Sequence, residues 1–225
     1  MKAVDVMVRD VVTVKPGDKV ADAVRLLAQH DVSALPVVHD HGNVVGVISE
    51  ADLVHREEIS TEKERPWWLE AVTPYSTLAA DFAKSHGRRV DEVMSTDVIS
   101  AAEDTPLGEI ATLLERHRIK RVPILRGGKL VGIVSRANLI QALASSMAQS
   151  SAGGTDSDRK IRVELLDRLG SQEWTDFGNR NIIVSGGIVH LWGLVGSPQE
   201  RKALLALAEG VPGVLSVSDE MIPGY

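Results

Sequence analysis

The chain has 225 residues, of which 44% are hydrophobic and only 4% aromatic, so Val, Leu, Ile and Ala must build its core. The formal net charge of −6 argues against a nucleic-acid binder that relies on a broad basic surface. Cysteine is absent, which excludes disulfides, thiolate metal sites and cysteine nucleophiles. The sequence begins without the pattern of a secretory signal and contains no long apolar run, so we expect a soluble, cytoplasmic protein.

Residues 6–54 and 93–140 are two copies of one sequence pattern. The first copy has one extra residue in the turn of its second half. The aligned pairs are Val6-Met7 with Val93-Met94, Asp10-Val11 with Asp97-Val98, His30 with His117, Pro36 with Pro123, Gly46 with Gly132, and Ser49 with Ser135. Matching patterns in both copies predict two equivalent structural units.

Each copy predicts the element order β-α-β-β-α. In the first copy, a short strand over residues 11–14 precedes a helix that carries apolar residues at helical spacing, namely Val20, Ala23, Val24 and Leu27. Strands over residues 35–38 and 44–48 flank a hairpin turn. A second helix then opens at Ser49, a favourable N-cap.

The second copy adds a helix-start signal of its own. Thr105 directly precedes Pro106, which predicts an N-cap followed by proline at the first helical position. A single unit would leave an apolar sheet face open. We therefore expect the two units to pack sheet to sheet as a pair.

These residues resemble the CBS domain pair, also called a Bateman module, over roughly residues 1–145. The strands VSALPVV and IKRVPIL carry the resemblance, together with the closing motifs 46–52 (GVISEAD) and 132–138 (GIVSRAN). The resemblance implies an α/β (α+β) fold in which two β-α-β-β-α CBS repeats pack as a pair. It also implies a homodimer of such pairs.

The closing motif has chemistry that suits a nucleotide. Its glycine permits close approach of a ligand, and its serine and the helix-opening N–H groups suit a phosphate. Its acidic residue, Asp52, could accept hydrogen bonds from the two hydroxyls of a ribose. The alternative is purely structural, with Ser49 and Ser135 as helix caps and Asp52 as a solvated acid in the first turn.

The resemblance implies two adenine-nucleotide sites between the repeats, with AMP, ADP, ATP or a related adenosyl compound as the regulatory ligand. The first site would combine Thr105, Ile110, Lys120 and Arg121 with Val47, Ser49 and Asp52. The second would combine Asp18, Ala23, Val32, Ser33 and Ala34 with Ser135 and Asn138. Because Asn138 is neutral where Asp52 is charged, we expect the Asp52 site to bind more tightly.

Residues 57–89 separate the repeats and are longer than most connections in compact domains. Thr73-Pro74 predicts the start of a helix that runs to about Ser85. We expect the neighbouring pair Trp67-Trp68 to pack on a repeat or on a partner subunit, rather than to stack on a ligand. The predicted domains are therefore repeat one (1–56), this insertion (57–89) and repeat two (90–145).

The small and polar residues 146–157 predict a flexible linker, and residues 158–225 predict an α-β-β-α-β domain. This segment resembles the BON domain through VHLWGLVGS (189–197) and the run from Ala208 to Val217. BON domains are thought to bind phospholipid or to mediate association. The first helix carries Arg159, Lys160, Arg162 and Arg168, for which a solvated face is the alternative to a lipid patch.

No catalytic constellation or phosphate-binding loop emerges, and the seven histidines are scattered, so we expect neither an enzyme nor a metal site. His30 and His117 fall at helix ends, and His39 and His41 in a hairpin turn. We expect a regulatory protein of signal transduction that binds an adenine nucleotide, requires no cofactor, and relays occupancy through dimer packing and the BON domain. The alternative is a ligand-free adaptor whose BON domain binds a protein target or a phospholipid surface.

Overall fold

The computed structural model describes residues 1–55, 61, 73–147, 154–175 and 181–224. These residues form two compact units. Unit one contains Met1–Val11, Ile99–Arg126 and Val131–Tyr225, and unit two contains Val12–Val98 and Gly127–Leu130. The prediction for Trp67 and Trp68 lies outside the described residues, as do residues 148–153 of the predicted linker.

The described elements confirm the predicted mixed α/β fold. The helices are α1 (Ala3–Val6), α2 (Val20–Gln29), α3 (Glu50–Leu53), α4 (Tyr75–His86), α5 (Val90–Val93), α6 (Leu107–Arg116), α7 (Arg136–Met147), α8 (Asp156–Gly170) and α9 (Pro198–Glu209). The strands are β1 (Ala34–Val38), β2 (Val44–Ser49), β3 (Ala101–Ala102), β4 (Arg121–Arg126), β5 (Lys129–Ser135), β6 (Asn181–Ser185), β7 (Ile188–Val195) and β8 (Ser216–Pro223). Within the described part of the chain, every helix is too short or too polar to cross a bilayer.

Unit two is built around the sheet and helices of repeat one. Strands β1 and β2 pair antiparallel, with Ala34 opposite Ser49. The predicted strand over residues 11–14 is reduced to one parallel bridge between Val14 and Val37. The helix α2 buries the predicted stripe against this sheet, except that Val24 is exposed on its outer side.

The segment that opens each repeat packs in the unit of the other repeat. In unit two, Val47 and Ser95 exchange backbone hydrogen bonds of 2.9 Å in both directions. In unit one, Val8 and Ile133 do the same at 3.0 and 2.9 Å. The compact units therefore consist of one repeat's sheet together with the opening segment of the other repeat.

The start of helix α6 corrects the predicted cap. Pro106 is the N-cap, with φ −60° and ψ 145°, and the helix begins at Leu107. The Thr105 hydroxyl instead accepts a hydrogen bond from the Ala102 amide at 3.0 Å. Thr105 thus closes the turn that leads into the helix.

The C-terminal domain is a three-stranded sheet in the order β6-β7-β8, covered on one face by helices α8 and α9. Strands β6 and β7 pair antiparallel, and β7 and β8 pair parallel. The final strand starts at Ser216 and ends at Pro223, later than the predicted 214–217. Leu215 instead donates its amide to the Gly187 carbonyl, so the chain is still turning at that point.

The second face of the C-terminal sheet packs on repeat two, within unit one. Ile183 is fully buried in the same apolar cluster as Val6 of α1 and Ile110 of α6, and Trp192 packs against this cluster. All five residues of β6 are buried. The C-terminal domain thus shares an apolar core with repeat two, and this burial exceeds what a solvated, loosely tethered domain would have.

Arg162 corrects the expectation of a solvated or lipid-facing basic helix. Its side chain is buried and donates to three backbone carbonyls: Ile182 at 2.7 Å, Val4 at 3.1 Å and Met7 at 2.6 Å. Burial lowers the pKa of Arg162 to about 9. A guanidinium tolerates this site because its five fixed donors match the carbonyls around it.

Two neighbours of Arg162 on α8 are also engaged. Arg159 forms a salt bridge with the buried Asp5 of α1, with 2.7 Å between Nε and Oδ1, and this bond raises the pKa of the guanidinium. Arg168 pairs with Glu164 on the same helix. Of the four basic residues on α8 that the sequence analysis named, Lys160 alone is exposed to solvent.

Gly132→Ala is expected to destabilise unit one. A Cβ at this position would lie 2.6 Å from Met7 Sδ and 3.0 Å from the Val8 carbonyl oxygen, and backbone cannot move aside cheaply. We expect a loss of about 1–3 kcal/mol in the free energy of unfolding, measured by urea denaturation. Gly108→Ala is the matched control: it meets nothing within 4 Å and should be neutral or stabilising.

Arg162→Met is expected to loosen the C-terminal domain from repeat two, because three buried carbonyls lose their donor. We expect a loss of about 3 kcal/mol or more in the free energy of unfolding, with faster amide exchange in residues 181–185. Arg168→Met, on the same helix but partly exposed, should cost less than about 1 kcal/mol. Equal effects of the two variants would contradict this role of Arg162.

Candidate functional site

The closing motif of repeat one is a capping interaction at the start of α3. Ser49 has extended backbone angles, φ −135° and ψ 168°, and serves as the N-cap. Its amide and its hydroxyl both donate to Asp52 Oδ2, at 3.0 and 2.8 Å. One carboxylate oxygen of Asp52 is thereby committed to the cap, so Ser49 is the helix cap of the structural alternative, but Asp52 is not the solvated acid of that alternative.

The second carboxylate oxygen of Asp52 contacts groups from outside the motif. Ser95 donates its hydroxyl to Oδ1 at 2.9 Å, and Lys84 of helix α4 places Nζ 2.7 Å from the same atom. The Asp52 side chain is 8% exposed and that of Lys84 is 42% exposed. The acceptor predicted for ribose hydroxyls is therefore present and is occupied by a cation of the inter-repeat helix.

The closing motif of repeat two has the same cap, but the side-chain atom that the cap leaves unused is different. The Ser135 amide and hydroxyl donate to Asn138 Oδ1 at 2.8 and 2.9 Å. The remaining atom, Nδ2, is a donor and bonds Gln141 Oε1 at 3.2 Å. Asn138 is 5% exposed, so it is a buried structural amide in this unit.

Gln141 links Asn138 to the C-terminal domain. Its Oε1 also accepts from Asn181 Nδ2, at 3.0 Å, at the start of β6. Asn181 donates in addition to the Val6 carbonyl at 2.9 Å. A chain of amides, buried at Asn138 and Asn181 and half-buried at Gln141, therefore connects the closing motif of repeat two with the docked sheet.

The other candidates of repeat one lie in unit two. Ser33 and Ala34 lie beside the closing motif, since the Ser33 carbonyl accepts from the Glu50 amide at 3.1 Å and Ala34 pairs with Ser49. Val32 is half-buried, and Val47 pairs with Ser95. Asp18 accepts from the Lys15 amide at 2.7 Å, and Ala23 is fully buried in the core.

The other candidates of repeat two lie in unit one. Ile110 is fully buried in the core, so its side chain has no surface to offer. Lys120 is exposed and Arg121 half-buried at the start of β4. The Lys120 carbonyl accepts from the Arg136 amide at 3.2 Å, which places it beside the Ser135 motif of its own repeat. The predicted combination of these residues with the Asp52 motif stays a prediction.

The four histidines singled out in the sequence lie at helix ends or in a turn. His30 and His117 are the C-caps of α2 and α6, where the repeat alignment put them. His39 and His41 are exposed in the β1–β2 turn. Among the residues that the structure describes, no group of three or more His, Asp or Glu is arranged to hold a metal ion.

Sequence reasoning missed three residues that contact the two motifs or extend their hydrogen bonds, namely Lys84 of the insertion, Gln141 of repeat two and Asn181 of the C-terminal domain. Lys84 carried one usable signal, because it lies in the last turns of a predicted helix just before repeat two. Gln141 and Asn181 carried none. The contact that joins them spans 40 residues of sequence.

Family models match the chain in three places. The CBS domain matches residues 3–58 and 90–145, and the BON domain matches residues 157–222. The protein YhcV of Bacillus subtilis, a CBS domain-containing protein, is 32% identical over 149 residues, covering 66% of this chain and 88% of YhcV. The chloroplastic protein CBSX2 of Arabidopsis thaliana is 31% identical over 135 residues, and the match spans only 57% of its length.

Two solved structures of CBSX2 are similar in fold. The complex of CBSX2 with AMP has a TM-score of 0.57 at 30% identity and covers 66% of this chain and 99% of that one. A second CBSX2 structure has a TM-score of 0.51 at 28% identity, covering 66% and 98%. With these relatives and both family models, the chain belongs to the CBS-domain family and consists of a tandem CBS pair followed by a C-terminal BON domain.

Proposed function

We propose that the chain is a regulatory, non-enzymatic protein that binds an adenine nucleotide at the Asp52 motif. One observation carries the proposal: Asp52 keeps a carboxylate oxygen, Oδ1, outside the cap, where it already accepts bonds from a hydroxyl and an ammonium group. Such an oxygen can accept from the 2′- and 3′-hydroxyls of a ribose. The CBSX2 structure with bound AMP supports the choice of ligand.

The remaining groups of this site are proposed from the resemblance to other CBS pairs. Thr105, Lys120 and Arg121 of repeat two would meet the phosphate, since Lys and Arg suit phosphate oxygens. Val47 would line the site. These assignments are open to test one residue at a time.

The two motifs are proposed to have different roles. Asn138 is buried, and both ends of its amide are already hydrogen-bonded within unit one. A nucleotide there would have to break the link to Gln141 or Ser135. We infer one nucleotide per chain, at Asp52, and a docking role for the Asn138 motif.

The docked BON domain gives the regulatory role a physical route. The amide chain from Asn138 through Gln141 to Asn181 ties the BON sheet to repeat two. A rearrangement of the Asn138 motif that accompanies nucleotide binding would therefore either move the BON domain or break these hydrogen bonds. The function proposed is a relay of nucleotide occupancy to whatever the BON domain or the dimer contacts.

Association is the second candidate function, and an exposed apolar face favours it. Helix α7 exposes Ile140, Leu143 and Met147, which share one face at spacings of three and four residues. An apolar groove lined by Met1, Leu107 and Leu139 lies beside this face. We propose a homodimer that buries the α7 face, in line with the expected pairing of CBS modules.

Asp52→Asn is expected to weaken AMP binding by about tenfold or more, because a charge-assisted hydrogen bond is worth roughly 1.5–3 kcal/mol. The variant keeps an oxygen for the Ser49 cap, so the fold should survive. Isothermal titration calorimetry measures the affinity. Asn138→Ala is the matched control and should leave AMP affinity nearly unchanged, although it should lower stability. Equal losses in both variants would contradict the assignment of ribose to Asp52.

Leu143→Glu is expected to convert the proposed dimer to a monomer, because it puts a charge at the centre of the apolar α7 face. Light scattering at micromolar concentration measures the molar mass directly. Leu215→Glu is the control, because Leu215 is an exposed apolar residue of the BON domain. This variant should keep the molar mass of a dimer. A wild-type monomer would contradict the dimer proposal.

A further inference from the structure

The contact between Lys84 and Asp52 carries an inference of its own, which rests on the proposed function. Lys84 belongs to α4, a helix of the segment that joins the two repeats, and not to either CBS repeat. Its Nζ lies 2.7 Å from Asp52 Oδ1 and 3.5 Å from Ser95 Oγ. All three residues belong to unit two.

Lys84 and a ribose would need the same oxygen. Asp52 Oδ2 is committed to both Ser49 donors, and Oδ1 carries Ser95 and Lys84. With the side chain only 8% exposed, little of the carboxylate is left for a further donor. Hydroxyl groups of a ribose therefore compete for Oδ1 with the donors already there, and Lys84 is the charged one of the two.

Helix α4 rests against two short helices, α3 of the Asp52 motif and α5 at the start of repeat two. Among its described side chains, Tyr75 and Phe82 are exposed and Ser85 is buried. Phe82 stacks on His86 within the helix, with ring centroids 3.9 Å apart. The ammonium group of Lys84 is partly exposed, so water can solvate it once it has left Asp52.

We propose that Lys84 competes with the ribose for Asp52, so that helix α4 is closed over the motif in the empty chain and opens when a nucleotide binds. By linkage, the cost of opening lowers the apparent affinity for the nucleotide. Lys84 is therefore a determinant of affinity, and the inter-repeat helix responds to occupancy.

Lys84→Met tests this, because it keeps the aliphatic stem and removes the ammonium group. Titration calorimetry with AMP should show binding about fivefold tighter than to the wild type. This gain is near the lower end of the affinity changes found for coupled sites, because the Lys84–Asp52 pair is partly solvated. Lys15→Met is the matched control. Lys15 also pairs with an aspartate of unit two, but that aspartate, Asp40, lies in the β1–β2 turn and not in the closing motif. The control should leave AMP affinity unchanged.

A ligand comparison separates competition with ribose from a contact to phosphate. AMP and adenosine should both bind Lys84→Met more tightly than wild type, while 2′,3′-dideoxyadenosine monophosphate, which lacks both hydroxyls, should gain nothing. Unchanged or weaker binding of AMP to Lys84→Met would overturn the competition and leave the nucleotide site standing. Absence of AMP binding to both proteins would overturn the nucleotide site as well.

Hydrogen exchange gives a readout that does not depend on affinity. Saturating AMP should speed exchange of the amides in residues 75–86 of the wild-type chain, because the helix loses the Lys84 contact that holds it to Asp52. Lys84→Met should show faster exchange there without ligand. Slower exchange of this helix on AMP binding would overturn the proposal, since it would mean that α4 closes on the nucleotide.

Discussion

The structure depends on how the serine at the end of strands β2 and β5 caps the helix that follows it. In both repeats this serine donates its amide and hydroxyl to one oxygen of the residue three positions later, which leaves one polar atom unused by the cap. In Asp52 the remaining atom is a charged acceptor, and in Asn138 it is a donor. An acceptor suits ribose hydroxyls, whereas a donor suits the Gln141 carbonyl oxygen that it meets. One change of side chain thus gives two equivalent positions different partners.

The insertion and the BON domain each contact a different one of these two motifs. The insertion supplies Lys84 to the acid, and the BON domain reaches the amide through Asn181 and Gln141. Arg162 completes the second arrangement by bonding carbonyls of α1, its adjoining turn and β6. The BON face that packs on repeat two is consequently unavailable to a lipid surface while the domain stays docked. A partner of the BON domain would have to use its other surfaces or displace it.

Local signals in the sequence predicted the elements well where short-range chemistry decides them. The two closing motifs, the hairpins and the starts of α3 and α7 follow from serine caps and from apolar strands that flank turn residues. Thr105 misled by one residue because its hydroxyl could serve either the helix or the preceding turn. Arg162 could not be foreseen, because an arginine on a helix normally faces water, and its partners Val4 and Met7 are more than 150 residues away. The exchange of opening segments between units is hidden for the same reason.

The central claim is that the two motifs have diverged, one toward a nucleotide and the other toward the BON domain. The number of AMP molecules bound per chain tests it most directly, measured by isothermal titration calorimetry on the full chain. One AMP per chain is the expected result, because only Asp52 retains an acceptor outside its cap. Two AMP molecules per chain would contradict this claim, since the second would have to occupy the buried Asn138 motif. No binding of AMP at all would contradict the nucleotide site itself.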